Sequence, residues 1–100
     1  MDHRTSSGDV RLRIMLADDN EPVRRRLGAF LRKQPDFEVV GEAVDGKAAV
    51  QLARDLQPDV VVMEVMMPGL NGIEATRQIK GESPVIKVIA LSLHLSLIHI

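Results

Sequence analysis

A regular switch between two hydrophobic periods constrains this chain more than any other feature. Val10–Ala17 (VRLRIMLA) begins with two-residue alternation and ends as an apolar run, the pattern of a strand entering a sheet. Pro22 then suits the first turn of a helix, where its missing N–H is no loss. Val23, Leu27, Phe30 and Leu31 follow at helical spacing, which assigns Arg24, Arg25, Arg26, Arg32 and Lys33 to the wet side. Pro35-Asp36 closes that helix. Phe37–Ala43 reads as a second strand and Gly46–Leu56 as a second helix, with Ala49, Val50, Ala53 and Leu56 inward. Val60–Val65 is a β-branched run of the kind expected for a strand covered on both faces. Pro68-Gly69 and Asn71-Gly72 mark a turn, Ile73–Lys80 a short helix stopped by Gly81 and Pro84, and Val85–Leu91 a fourth strand.

Strict alternation of strand and helix with short connections predicts a parallel sheet wrapped by right-handed crossovers, an open doubly wound α/β domain. A hundred residues supply one such domain at most. Aromatic residues make up 2% of the chain, so its core has to be aliphatic. The net charge of −1 offers no electrostatic grip on nucleic acid or an anionic membrane. With no cysteine, a disulfide framework and a thiolate metal site are excluded, which fits a cytoplasmic protein. Residues 1–9 are polar and mixed in charge, and read as a disordered N-terminal extension without the apolar core of a secretory signal.

Open parallel sheets bind ligands beyond the carboxyl ends of their strands. Asp18 and Asp19 follow the first strand, Glu64 ends the third, and Ser92 follows the fourth. Three carboxylates brought to one sheet edge repel one another unless a cation sits among them. Hard oxygen ligands that leave room for retained waters are the chemistry of Mg²⁺. Taken singly, these residues have plainer readings: Asp18-Asp19-Asn20 as a helix cap, Pro68-Gly69 as a turn, Ser92 as a loop hydroxyl. His3, His94 and His99 lack metal-ligand spacing and read as incidental.

The segments IMLADDNEPVRRRL, PDVVVMEVMMPGLNGIEATRQI and KVIALSLH together resemble receiver domains of two-component response regulators, nearest to those that precede a LuxR-like DNA-binding domain. The resemblance covers about Arg11 to His94 and implies a flavodoxin-like sheet in the order 2-1-3-4-(5), truncated after the fourth strand. It implies a signalling module rather than an enzyme, in which a sensor histidine kinase passes phosphate to an aspartate at the end of the third strand. By the same resemblance Mg²⁺ is held at Asp18, Asp19, Glu64 and the backbone carbonyl of Met66, with Asp19 the direct ligand of the acidic pair. Ser92 falls at the family's switch hydroxyl, and Pro68 and Gly69 on the turn that shapes the pocket. Expected partners are the kinase and an output domain or dimer partner in the full-length protein, with no nucleic acid or membrane bound by this part.

Two departures from the pattern stand out. Glu64 occupies the place of the phosphoacceptor aspartate. One extra methylene moves the carboxylate by roughly a covalent bond length, and misplacement on that scale costs on the order of 10²-fold in rate. Glu64 is therefore expected to accept phosphate poorly and to imitate the active state only in part. The second departure is Leu95–Ile100 (LSLIHI), unlike the polar start of a helix. This hexapeptide resembles one reading frame of a transposon end used in sequencing libraries, so residues 95–100 are expected to be a non-native tail after a partial receiver of residues 10–94. Such an end would leave the fourth strand as a bare edge prone to pairing with other chains. Two alternatives remain: a phosphorylation-independent pseudo-receiver that binds partners, and a small Mg²⁺-dependent α/β hydrolase. The absence of a GxGxxG or P-loop sequence speaks against nucleotide binding.

Overall fold

The computed structural model describes residues 10–91. Its elements run β1 (Leu12–Ala17), α1 (Glu21–Arg32), β2 (Phe37–Ala43), α2 (Gly46–Leu56), β3 (Val60–Glu64), α3 (Gly72–Glu82) and β4 (Lys87–Leu91). All strand pairings are parallel, in the order β2-β1-β3-β4, as the resemblance implied. Side-chain alternation splits the core between the two sheet faces. Met15, Ala17, Val61 and Met63 point to α2 and α3, where Ala49, Ala53 and Ala75 let the helices approach closely. Ile14, Leu16 and Val60 face α1 and meet Leu31.

Each helix starts on a side-chain cap. Asn20, Asp45 and Asn71 accept the backbone N–H groups of Val23, Ala48 and Glu74, satisfying donors that the first turn leaves free. The cap of α1 is thus Asn20, and the acidic pair before it is left for other work.

The sequence reading needs correction on α1. Phe30 was assigned inward but is 60% exposed, and Arg24 was assigned to the wet face, yet its side chain is only 12% exposed. The stripe that faces the sheet is Arg24, Leu27, Gly28 and Leu31, spaced at i, i+3, i+4 and i+7. Phe30 lies roughly a quarter-turn off it. Phe30 and Leu31 are both apolar at helical spacing to Leu27, but only Leu31 is buried. Several boundaries also moved: β1 starts at Leu12 rather than Val10, β3 ends at Glu64 rather than Val65, and α3 starts at Gly72 rather than Ile73. Helix α3 continues through Gly81 to Glu82, where the Ser83 N–H closes the last turn on the Ile79 carbonyl. An interior glycine costs about 1 kcal/mol, too little to stop a packed helix. Strand β4 starts at Lys87 rather than Val85, because Ile86 bonds back to the Ser83 carbonyl in a turn and leaves Val85 86% exposed.

Candidate functional site

Register determines which side chains share the carboxyl edge. Ala17 stands opposite Ala43 on β2 and Met63 on β3, so the chain leaves the sheet at Asp18 beside Glu64. Both carboxylates are buried, at 9% and 6% exposure, whereas Asp19 is exposed at the mouth. Asp18, Glu64, Arg24 and Leu91 line one small cavity between the sheet and α1.

Asp18 is fixed at three points. Its N–H donates to the Ala43 carbonyl at 3.0 Å, its carbonyl accepts from Arg24 Nη1 at 2.7 Å, and its Oδ1 accepts from the Asn20 N–H at 2.8 Å. Burial pushes its carboxyl above the usual range; the Asn20 bond opposes this, the Glu64 and Asp19 charges add to it, and Arg24 opposes it least. Glu64 makes the matching bond at the end of β3: its Oε2 accepts the Met66 N–H at 2.9 Å. The side chain thus turns back onto its own loop. That loop is braced by α3. A Cβ on Gly72 would lie 2.1 Å from the Glu64 carbonyl oxygen, and the Gly72 N–H donates to the Val65 carbonyl at 3.0 Å. Gly69 adopts φ +69°, a conformation that glycine takes at no steric cost, and turns the exposed Pro68-Gly69 corner. The exposed Met66 side chain lies over an apolar hollow with Val65, Met67 and Ile73.

The structure therefore brings Asp18 and Glu64 together at the edge, with Asp19 and the Met66 peptide beside them. Ser92 lies outside the described residues, as do residues 1–9 and the 95–100 tail. Each buried carboxylate keeps a second oxygen without a hydrogen-bond partner among the described residues. These hard, anionic donors have the right chemistry for a divalent oxygen-seeking cation. In the arrangement seen, no three acidic or histidine side chains among the described residues converge closely enough to hold an ion. Glu64 has its carboxylate turned toward Met66, and Asp19 points into solvent. Sequence reasoning missed Arg24, which it had counted with Arg25 and Arg26 as a solvated cluster. The signal available was its spacing to Leu27, Gly28 and Leu31.

Residues 14–99 match the response regulator receiver domain family. The chain is 52% identical over 81 residues to the transcriptional regulatory protein LiaR of Bacillus subtilis, covering 81% of this chain and 38% of LiaR. It therefore spans well under half the length of that relative. Among solved structures, it superposes on the response regulator domain of Thermotoga maritima CheB with a TM-score of 0.79 at 43% identity, covering 82% of this chain and 60% of that one. A LuxR-family two-component response regulator from Aurantimonas sp. SI85-9A1 gives a TM-score of 0.80 at 38% identity, over 84% and 60% of the two chains. No helix among the described residues is long and apolar enough to cross a membrane. The chain belongs to the response regulator receiver domain family.

Proposed function

We propose that this receiver serves a two-component phosphorelay with Glu64 in place of the phosphoacceptor aspartate, holds Mg²⁺ in its acidic pocket, and controls a downstream output. The observation that carries the reading is the placement of Glu64: buried at the end of the central β3, beside Asp18, with its carboxylate on the Met66 amide. Glu64 carries its carboxylate one bond farther from the backbone than an aspartate would, and a phosphoryl group on an aspartate would likewise add oxygens beyond that carboxylate. Glu64 thus occupies both the acceptor position and part of the phosphoryl position. A hydrogen bond to a charged group contributes about 1.5–3 kcal/mol, while a full reversal of a 1:99 equilibrium needs about 5.5. Glu64 biases the domain toward its active arrangement without completing the switch.

Asp18, Asp19, Glu64 and the Met66 carbonyl would hold Mg²⁺ once Asp19 and Glu64 turn inward. When bound, the ion supplies charge neutralisation at the crowded carboxylates. Asp18 is already oriented by the Asn20 amide. Ser92 is the proposed switch hydroxyl, and Pro68 and Gly69 shape the pocket wall. The kinase, the output domain, a transcriptional role like that named for LiaR, a cytoplasmic setting, and the division into an extension of residues 1–9, a receiver of 10–94 and a foreign tail of 95–100 belong to the same proposal. The engagement of Glu64 with its own loop favours a second, narrower reading, a pseudo-receiver that meets its partners without phosphorylation.

Intact-mass spectrometry after treatment with acetyl phosphate and Mg²⁺ tests both. The wild type gains no phosphoryl group, whereas Glu64→Asp in the full-length protein gains one. A labile phosphoryl adduct on unmodified protein removes the case for Glu64 as a substituted acceptor. No adduct on Glu64→Asp leaves the pseudo-receiver reading standing instead.

A further inference from the structure

Arg24 is in the wrong place for helix stability. It sits in the first turn of α1, where the helix dipole disfavours a cation, and its side chain is buried to 12% exposure while Arg25 and Arg26 lie in solvent. A residue that breaks a local rule and is nonetheless held firmly points to a role beyond the helix. Its guanidinium makes two bonds, one to the chain just past β1 and one to β2. Nη1 donates to the Asp18 carbonyl at 2.7 Å, and Nε donates to Glu42 Oε1 on β2 at 3.0 Å. Glu42 is itself held from the other side by Arg32 Nη2 at 2.9 Å. Next to it on β2, the Ala43 carbonyl accepts the Asp18 N–H at 3.0 Å. The Asp18 peptide is thereby clamped at both ends onto β2, directly through Ala43 and indirectly through Arg24 and Glu42.

We propose that Arg24, anchored on Glu42, is the positioning residue of the acidic pocket: it clamps the carboxyl end of β1 so that the Asp18–Asn20 turn holds the Asp18 carboxylate beside Glu64, with Asp19 at the mouth. Arg24 touches no ligand in this role and acts through the Asp18 carbonyl. Two features of arginine suit it. The planar fork bonds two partners at once, and the guanidinium stays charged at any pH the protein meets. Lysine carries all its donors on one atom, so it lacks the separated Nε and Nη1 donors with which Arg24 reaches its two partners. The inference rests on reading this edge as the receiver's acidic pocket, but the clamp itself involves only atoms of this chain.

The Asn20 amide reports on the clamp, because it donates to Asp18 Oδ1. Hydrogen exchange and amide shifts of the 100-residue chain would be followed in wild type, Arg24→Lys, Arg24→Met and Glu42→Gln. Loss of a bond to a charged group predicts that Asn20 and Asp18 exchange about tenfold faster in Arg24→Met, with the Met63 and Ile79 amides unchanged. Arg24→Lys and Glu42→Gln should fall between wild type and Arg24→Met. A folded Arg24→Met with wild-type exchange at Asn20 overturns the proposal, as does uniform acceleration of every amide, which is plain destabilisation. If Arg24→Met does not fold, Arg24→Lys and Glu42→Gln decide it by the same amides. A parallel Mg²⁺ titration read on the Asn20 shift should show weakened binding in the order wild type, Arg24→Lys, Arg24→Met. A wild type that binds no Mg²⁺ defeats the metal reading of the pocket, while the exchange data still decide the clamp.

Discussion

The carboxyl ends of β1 and β3 solve the same problem with different means. Each carries a buried carboxylate that accepts the backbone N–H two residues on, Asn20 for Asp18 and Met66 for Glu64. At β3 the supporting element is backbone: Gly72 presses against the Glu64 carbonyl so closely that no side chain fits between. At β1 the Asp18 N–H is tied to the Ala43 carbonyl, but the Asp18 carbonyl is held by a side chain, Arg24, reaching in from α1 and anchored on Glu42. A backbone brace is rigid and intolerant of change, whereas a side-chain clamp can be loosened by degrees. The β3 end is therefore the fixed wall of the pocket and the β1 end its adjustable one.

The largest effect should come from breaking the fixed wall. Gly72→Ala places a Cβ 2.1 Å from the Glu64 carbonyl oxygen and 2.8 Å from the Val65 Cα, both backbone atoms that cannot rotate away. Overpacking in a tight interior costs about 1–3 kcal/mol and occasionally more, and here the upper end or beyond is expected. The control is Gly81→Ala on the same helix, where the added Cβ meets nothing within 4 Å. That change should stabilise by about 0.5–1 kcal/mol through helix propensity. Urea unfolding followed by far-ultraviolet circular dichroism measures both. A mild cost at Gly72 would mean that α3 can slide away from β3, and that the wall is less fixed than its contact implies.

Much of this contrast could be read from the sequence, and the unread part has a common cause. The period switches located every strand and helix among the described residues, and β2 and α2 have the boundaries that the pattern predicted. Asp18 and Glu64 were placed together because a parallel sheet collects its strand ends at one edge. What the pattern could not supply was direction around a helix carrying both arginines and apolar residues on neighbouring stripes. Phe30 drew the inward stripe toward itself, and Arg24 was counted with the solvated cluster. Nor does spacing encode the curl of Glu64 onto Met66, since a carboxylate at a strand end can extend or fold back with the same neighbours. Gly72 was legible only as half of an Asn-Gly turn signal; its contact with β3 depends on how closely α3 packs.

An intermediate effect should follow from taking away one charge at the fixed wall. Asp18 has its carboxyl raised by burial first and by the Glu64 charge among the lesser causes. A raised carboxyl favours folding when protonated, so its contribution is complete below the usual value near 3.8 and is lost as pH rises through the raised one. Glu64→Gln should bring the Asp18 titration back toward the usual range, read by ¹³C NMR of its carboxyl carbon. An unmoved Asp18 titration would show that the two strand ends do not sense each other. The Mg²⁺ side of the pocket gives a companion expectation. Asp19→Asn should weaken binding more than Asp18→Asn, because Asp19 is the proposed direct ligand and Asp18 already spends one oxygen on Asn20. Equal titration curves for wild type and Asp19→Asn would refute that assignment.

The smallest effect belongs to the anchor of the adjustable wall, and its pH dependence has the opposite sign. Glu42 has its carboxyl lowered, first by the hydrogen bond from Arg32, then by that from Arg24, with partial opposition from burial. A lowered carboxyl contributes stability above its unfolded value, near 4.5, and loses it as pH falls through the lower folded value. The Glu42 side chain is 28% exposed and Arg32 is 51% exposed, so solvent screens the pair and the contribution should stay within about 1 kcal/mol. Urea midpoints of wild type and Glu42→Gln should therefore differ slightly at neutral pH and converge in acid. Raising the salt concentration should narrow the neutral-pH gap, since exposed charge pairs are screened. A gap that persists unchanged into acid would assign the loss to packing rather than charge. If so, Glu42 would anchor Arg24 by shape alone, and the Arg24–Glu42 clamp would be as insensitive to pH as the glycine brace on β3.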